Sequence, residues 1–108
     1  PALDAILDPA AKIETLCQGF DWAEGPAWDE KEQRLLFSDV PRNVVFEWME
    51  GVGTRDYLFR SGYVGEASRG GEMGSNGLTL DAEGRLVLCQ HGDRQVARLE
   101  RFAPWHVA

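Results

Sequence analysis

Residues 24–48 read EGPAWDEKEQRLLFSDVPRNVVFEW, and residues 76–99 read NGLTLDAEGRLVLCQHGDRQVARL. Laid one over the other, Glu24 falls on Asn76, Gly25 on Gly77, Trp28 on Leu80 and Asp29 on Asp81. One residue is skipped in the turn. After it Arg34 falls on Arg85, Leu35-Leu36-Phe37 on Leu86-Val87-Leu88, and Val45 on Val96. The offset is 52 residues before the turn and 51 after it. A period of about 50 residues built from short strands marks the blades of a β-propeller.

The local patterns agree. Gly25–Trp28 and Gly77–Leu80 are short runs that end in polar turns, DEKEQ and DAEG, and the second turn has the Asp and Gly of a tight hairpin. RLLFSD and RLVLCQ are apolar runs of strand length, too short for helices. VVFEWM and QVARLE alternate as half-buried third strands do, and TRDYLF supplies a fourth strand to the first unit. Four antiparallel strands joined by hairpins make one blade. The expected fold class is therefore all-β, a β-propeller fragment of about two four-stranded antiparallel blades. Residues 1–20, with the register of AKIETL, read as a lead-in strand, 21–60 as the first blade, 61–74 as a connecting loop, and 75–108 as a second, incomplete blade. A closed ring needs at least four blades, so the chain reads as the N-terminal part of a propeller. A free-standing two-sheet β domain is the plainer alternative. Residues 60–75, RSGYVGEASRGGEMGS, hold five of the 12 glycines and read as a surface loop.

Composition narrows the partners. The 108 residues carry 11 basic and 18 acidic side chains, a net charge of −7, which argues against a nucleic-acid partner. No apolar run approaches the roughly 18–20 residues that span a bilayer, so a soluble protein is expected, cytoplasmic or periplasmic. Cys17 and Cys89 lie far apart, match no CxxC pattern and have apolar neighbours, so both are expected to be buried free thiols. No GxSxG, HExxH or phosphate-loop motif supports serine-nucleophile, zincin or nucleotide chemistry. Trp22, Trp28 and Trp48 are expected to pack between blades.

At EGPAW, RLLFSDVPRN and NGLTLDAEGRLVLCQHG the chain resembles the calcium-dependent gluconolactonases of the senescence-marker-protein/gluconolactonase/regucalcin-like family. The likeness runs from about Ile6 to Glu100, and covers a third or so of a full member. The tail RFAPWHVA departs from the pattern, and Trp105 and His106 are given no catalytic role. The resemblance implies a six-bladed propeller, a divalent metal (most likely calcium) and a small-molecule sugar lactone hydrolysed to its open acid. It implies that Glu24 points into the central channel as a metal ligand. It places the remaining ligands, an Asn and an Asp, and the general base in later blades that are not in this sequence. Calcium takes six to eight oxygens, several of them carboxylate or carboxamide, so a Glu fits the role. Without a cation, Glu24 would read as a strand-end carboxylate in water or paired with an arginine.

Asn76 holds the repeat position of Glu24 and is expected to line the same pocket, binding substrate hydroxyls or a metal-bound water; an Asn-Gly turn signal is the other reading. His91, in CQHG at the end of a second strand, is a pocket candidate or a half-buried structural histidine. Gln90 stands where the family pattern has an acid. Asp39, in SDVP, is expected to cap a turn. The 108 residues alone are expected to be inactive. A non-catalytic propeller module that binds carbohydrate or protein, or another hydrolase on the same scaffold, are the competing functions.

Overall fold

The computed structural model describes residues 2–68 and 70–100. Seven strands follow a 3-10 turn at Ala2–Ala5: β1 (Ala23–Asp29), β2 (Arg34–Asp39), β3 (Val44–Met49), β4 (Gly53–Phe59), β5 (Ser75–Leu80), β6 (Leu86–Gln90) and β7 (Gln95–Arg98). They form two meanders, a four-stranded sheet in the order β1-β2-β3-β4 and a three-stranded sheet in the order β5-β6-β7. Every neighbouring pair is antiparallel. The two sheets are the two units of the repeat. A fourth strand of the second unit would fall on residues 101–108, which lie outside the described residues, as do Trp105 and His106.

The repeat is also legible in the hairpins. In the first, Asp29 accepts from Arg34 Nε at 2.9 Å and from the Glu32 amide at 3.2 Å. In the second, Asp81 accepts from Arg85 Nε at 2.8 Å and from the Glu83 and Arg85 amides at 3.0 and 2.9 Å. The backbone and side-chain donors of Arg85 hold the Asp81 carboxyl below the usual carboxylate range. Asn43 and Arg94, 51 residues apart, both turn through the left-handed region, at φ 60° and 58°.

Side chains alternate across a strand, and that parity sets the packing. Leu36 and Val45, with Tyr57, meet Leu86 and Leu88 of the second sheet, and Leu58, Leu78, Leu80 and Leu99 pack around them. Leu35 and Phe37 point the other way. There Phe37, Phe46 and Phe20 form an aromatic cluster with ring centroids 4.8–5.9 Å apart.

Several expectations change. Residues 6–22 form no strand, and β1 is the first element with a ladder partner. Ile6 and Ile13 of that segment are fully or nearly fully exposed. Its anchorage comes at its end, where Trp22 accepts the Val40 amide at 3.2 Å and Asp39 accepts the Asp21 and Trp22 amides at 3.0 and 3.3 Å. Asp39 thus caps the incoming chain, with Arg42 3.4 Å away. Trp22 and Trp28 are each 47% exposed in this chain and do not pack between its two sheets. Trp28 pairs with Leu35 on the face turned away from the second sheet. Cys17 is half-buried and Cys89 exposed; both are free thiols. Cys89 pairs with Val96 on the outer face of β6, so apolar sequence neighbours did not bury it. The glycine-rich connection is exposed only in its middle: Ser61, Gly62 and Gly74 at its ends are buried. The Asn43 side chain holds it there, accepting the Gly62 and Tyr63 amides at 2.8 and 3.1 Å and donating to the Tyr63 carbonyl at 2.8 Å.

Candidate metal and substrate site

The site is built where the heads of β1 and β5 meet. β1 and β5 pack side by side, so the inner strands of the two units run next to each other. Gly25 makes this approach feasible. Its φ is 63°, a left-handed value, and a Cβ there would run into the Asn76 carbonyl oxygen and lie 3.1 Å from the Gly77 Cα. Only glycine meets both demands. The ladder between β1 and β2 shifts register between Glu24 and Ala27, the stretch that holds Gly25 and Pro26. The β5–β6 ladder shifts at the equivalent place, between Ser75 and Leu78. The shifts leave Gly25 and Pro26 in one ladder, and Asn76 and Gly77 in the other, outside the regular register, while Glu24 stays opposite Ser38 and Ser75 opposite Gln90.

Buried hydroxyls fasten the two heads together. Ser38, opposite Glu24 in the ladder, has its Oγ 2.7 Å from Ser75 Oγ and donates to the Asn76 carbonyl at 3.0 Å. Ser61 Oγ accepts the Ser75 amide at 3.3 Å. Ser38, Ser61 and Ser75 are all fully buried. This seam of serines is absent from the sequence-based site. Its signal was a Ser at the polar end of the apolar run RLLFSD, and another directly before Asn76-Gly77.

Glu24 and Asn76 are thus on neighbouring strand heads, both half-buried. Glu24 also lines a groove of about 220 Å³ with Cys17, Phe20, Ala23, Pro26, Leu35 and Phe37. His91 lies at the same end of the sheets, just beyond Gln90, which pairs with Ser75. It is exposed, and lines a separate, smaller groove with Glu72, Met73 and Arg94. Gln90 is a structural residue: its amide donates to the Ser61 carbonyl at 2.9 Å, and its oxygen accepts from Gln95 at 2.7 Å. Among the described residues no three His, Cys, Asp or Glu side chains gather into a metal-binding group.

At the opposite end, a wider cleft of about 650 Å³ is lined by Arg34, Glu47, Arg55, Tyr57, Arg85 and Glu100, among others. Arg34 donates to Asp29 at 2.9 Å and to Glu47 at 2.7 Å, and lies 4.9 Å over the Tyr57 ring. Burial alone would push the Glu47 carboxyl up, but the hydrogen bonds from Arg34 and Arg55 prevail and hold it below its usual value. These charges are already paired, so the cleft is a structural ionic network.

Residues 22–102 match the family model for the SMP-30/gluconolactonase/LRE-like region. The chain belongs to that family. A curated relative, a gluconolactonase of Zymomonas mobilis, is 34% identical over 102 residues, which are 93% of this chain and 29% of that protein. A solved gluconolactonase from Xanthomonas campestris matches with a TM-score of 0.68 and 31% identity, over 83% of this chain and 27% of that one. A second solved structure, of a protein assigned to the gluconolactonases by family, matches with a TM-score of 0.73 and 25% identity, over 94% and 31%. The chain spans less than a third of the relatives it matches, and its two antiparallel sheets are two blades of the propeller-type fold of these gluconolactonases. No helix among the described residues is long and apolar enough to cross a membrane.

Proposed function

We propose that this chain supplies the first two blades of a metal-dependent hydrolase of sugar lactones. The observation that carries the reading is the junction of β1 and β5, where Gly25 seats on the Asn76 backbone and brings Glu24 and Asn76 to neighbouring strand heads. A carboxylate and a carboxamide are the kind of donors that calcium takes. Two of them fall short of the six to eight oxygens it requires, so the rest of the set comes from outside this chain. A bound divalent cation supplies Lewis acidity to a lactone carbonyl and charge for the attacking oxygen. Glu24 holds the cation. Asn76 would hydrogen-bond the sugar hydroxyls or a water held there, and His91 would meet the substrate only from its own groove at the same end of the sheets. The general base lies outside these residues, so the chain alone binds calcium weakly and turns over no substrate.

A chimera tests this. Residues 1–100 replace the aligned segment of the Zymomonas gluconolactonase, and hydrolysis of gluconolactone is followed by acid release with and without calcium. The expected result is calcium-dependent hydrolysis that Glu24→Gln abolishes, with calcium affinity reduced in titration calorimetry. A folded Glu24→Gln chimera that matches its parent in both measurements overturns the assignment of Glu24. Robust, Glu24-dependent activity of the 108-residue chain alone overturns the division of the site between blades.

A further inference from the structure

The Asn76 carbonyl oxygen is held from two sides. Gly25 stands against it as a stop, since a Cβ at that position would collide with the oxygen. Ser38 is the tether: its fully buried hydroxyl donates to the same oxygen at 3.0 Å, across the junction of the two units. A carbonyl only accepts and a serine hydroxyl has a single proton, so the Ser38 proton is committed to Asn76. Ser75 Oγ, 2.7 Å from Ser38 Oγ, must then donate to Ser38. The Ser75 amide is in turn spent on Ser61 Oγ at 3.3 Å. The two hydroxyls therefore point one way, from Ser75 through Ser38 to the Asn76 carbonyl, and hydrogen bonds aligned in this manner strengthen one another. Asn76 and Gly77 fall in the gap of the β5–β6 register, between the pairs Ser75–Gln90 and Leu78–Leu88. A ladder fixes the main chain least at such a gap, and here the Ser38 hydroxyl supplies the tie.

We propose that Ser38 is a positioning residue for Asn76: its hydroxyl fixes the peptide group that follows Asn76 and so aims the carboxamide at the substrate. This rests on the reading of Asn76 as a substrate-binding group. The main chain and the hydroxyl of Ser38 have separate tasks. The main chain pairs with Glu24 in the β1–β2 ladder, and the hydroxyl crosses to Asn76 in the second unit. Loss of the hydroxyl therefore loosens the carboxamide while Glu24 keeps its place. Placement of this kind matters, because a group displaced by about 1 Å can lose about a hundredfold in rate. Ser38, Ser61 and Ser75 are each 0% exposed, so water does not take over the lost bond, and the freed carbonyl must shift to find another partner.

The chimera with the Zymomonas gluconolactonase carries the test. Ser38→Ala is expected to raise KM for gluconolactone about tenfold, the worth of one well-placed hydrogen bond, and to leave kcat and calcium affinity within about twofold of the parent. Asn76→Ala raises KM at least as much, and Ser38→Ala added to it raises KM no further, because a residue that acts only through Asn76 then has nothing to position. A second readout needs no turnover. In a chimera labelled at asparagine with a nitrogen isotope, the Asn76 amide signal is identified by its loss in Asn76→Ala. Its order parameter falls from about 0.85 to below about 0.6 in Ser38→Ala, while Asn43, bonded to Gly62 and Tyr63, stays rigid. Ser75→Ala removes the hydroxyl that donates to Ser38 and gives smaller changes of the same sign; it carries both measurements should Ser38→Ala fail to fold. A KM or an order parameter untouched by both serine variants, a calcium affinity that falls along with KM, or full additivity with Asn76→Ala overturns the proposal. Failure of the lactonase reading looks different: a folded chimera then hydrolyses the lactone regardless of Glu24→Gln and Asn76→Ala, which overturns the substrate role of Asn76, while a falling order parameter still upholds the tether.

Discussion

Gly25→Ala isolates the contact on which the site depends. The substitution meets two costs that the structure separates. One is conformational: φ at Gly25 is 63°, and a non-glycine residue held in the left-handed region costs about 1 kcal/mol. The other is steric, because the new Cβ runs into the Asn76 carbonyl oxygen, and overpacking of a close contact adds about 1–3 kcal/mol. Gly84→Ala is the control. Gly84 has φ 80° and nothing within 4 Å of its Cβ position, so that variant carries the conformational cost alone. Urea unfolding of the two variants should give losses of about 2–4 kcal/mol for Gly25→Ala and about 1 kcal/mol for Gly84→Ala. In the chimera, Gly25→Ala should also weaken calcium binding, because it pries β1 from β5. Equal losses for the two glycines, or a Gly25→Ala variant with unchanged calcium affinity, would refute the idea that this approach sets the spacing of Glu24 and Asn76.

Three further outcomes follow from the same geometry. Ser38→Ala leaves Ser75 Oγ and the Asn76 carbonyl each without its Ser38 partner in a dry seam and should cost about 1–3 kcal/mol in urea unfolding. Arg34→Ala strips Asp29 and Glu47, both nearly fully buried, of a shared cation and should cost about 3 kcal/mol in thermal or urea unfolding. Stability should also fall on acidification. Glu47 titrates below its ordinary value when folded, so the unfolded chain takes up that proton first, and stability is full above about pH 4.3 and drains away toward the folded value. Glu47→Gln should flatten this acid limb in a series of melts against pH.

The strands were legible because each repeats a simple period in a bounded run: RLLFSD and VVFEWM became β2 and β3 to the residue. Family membership was legible too, since EGPAW and NGLTLDAEGRLVLC keep polar and glycine residues at positions a generic strand would not need. Contacts across the chain were not. Trp22 and Trp28 look like core by composition, yet their exposure depends on which face of the first sheet has a neighbour, and alternation alone does not name the covered face. The AKIETL segment has strand propensity but no ladder partner among the described residues, and a strand exists only as part of a ladder. The serine seam escaped notice because a hydroxyl becomes structural only when another, 37 residues away, is folded against it.

The outer border of the first sheet has a bearing on solubility. β4 is its terminal strand, and the border strand of a sheet is the usual template for cross-β growth. Arg55 and Asp56 sit on it, exposed, and the ladder to β3 slips between Val45 and Phe46. Charge and a kink of this sort deter sideways strand addition. The first sheet is thus guarded along its rim against the pairing that seeds fibrils.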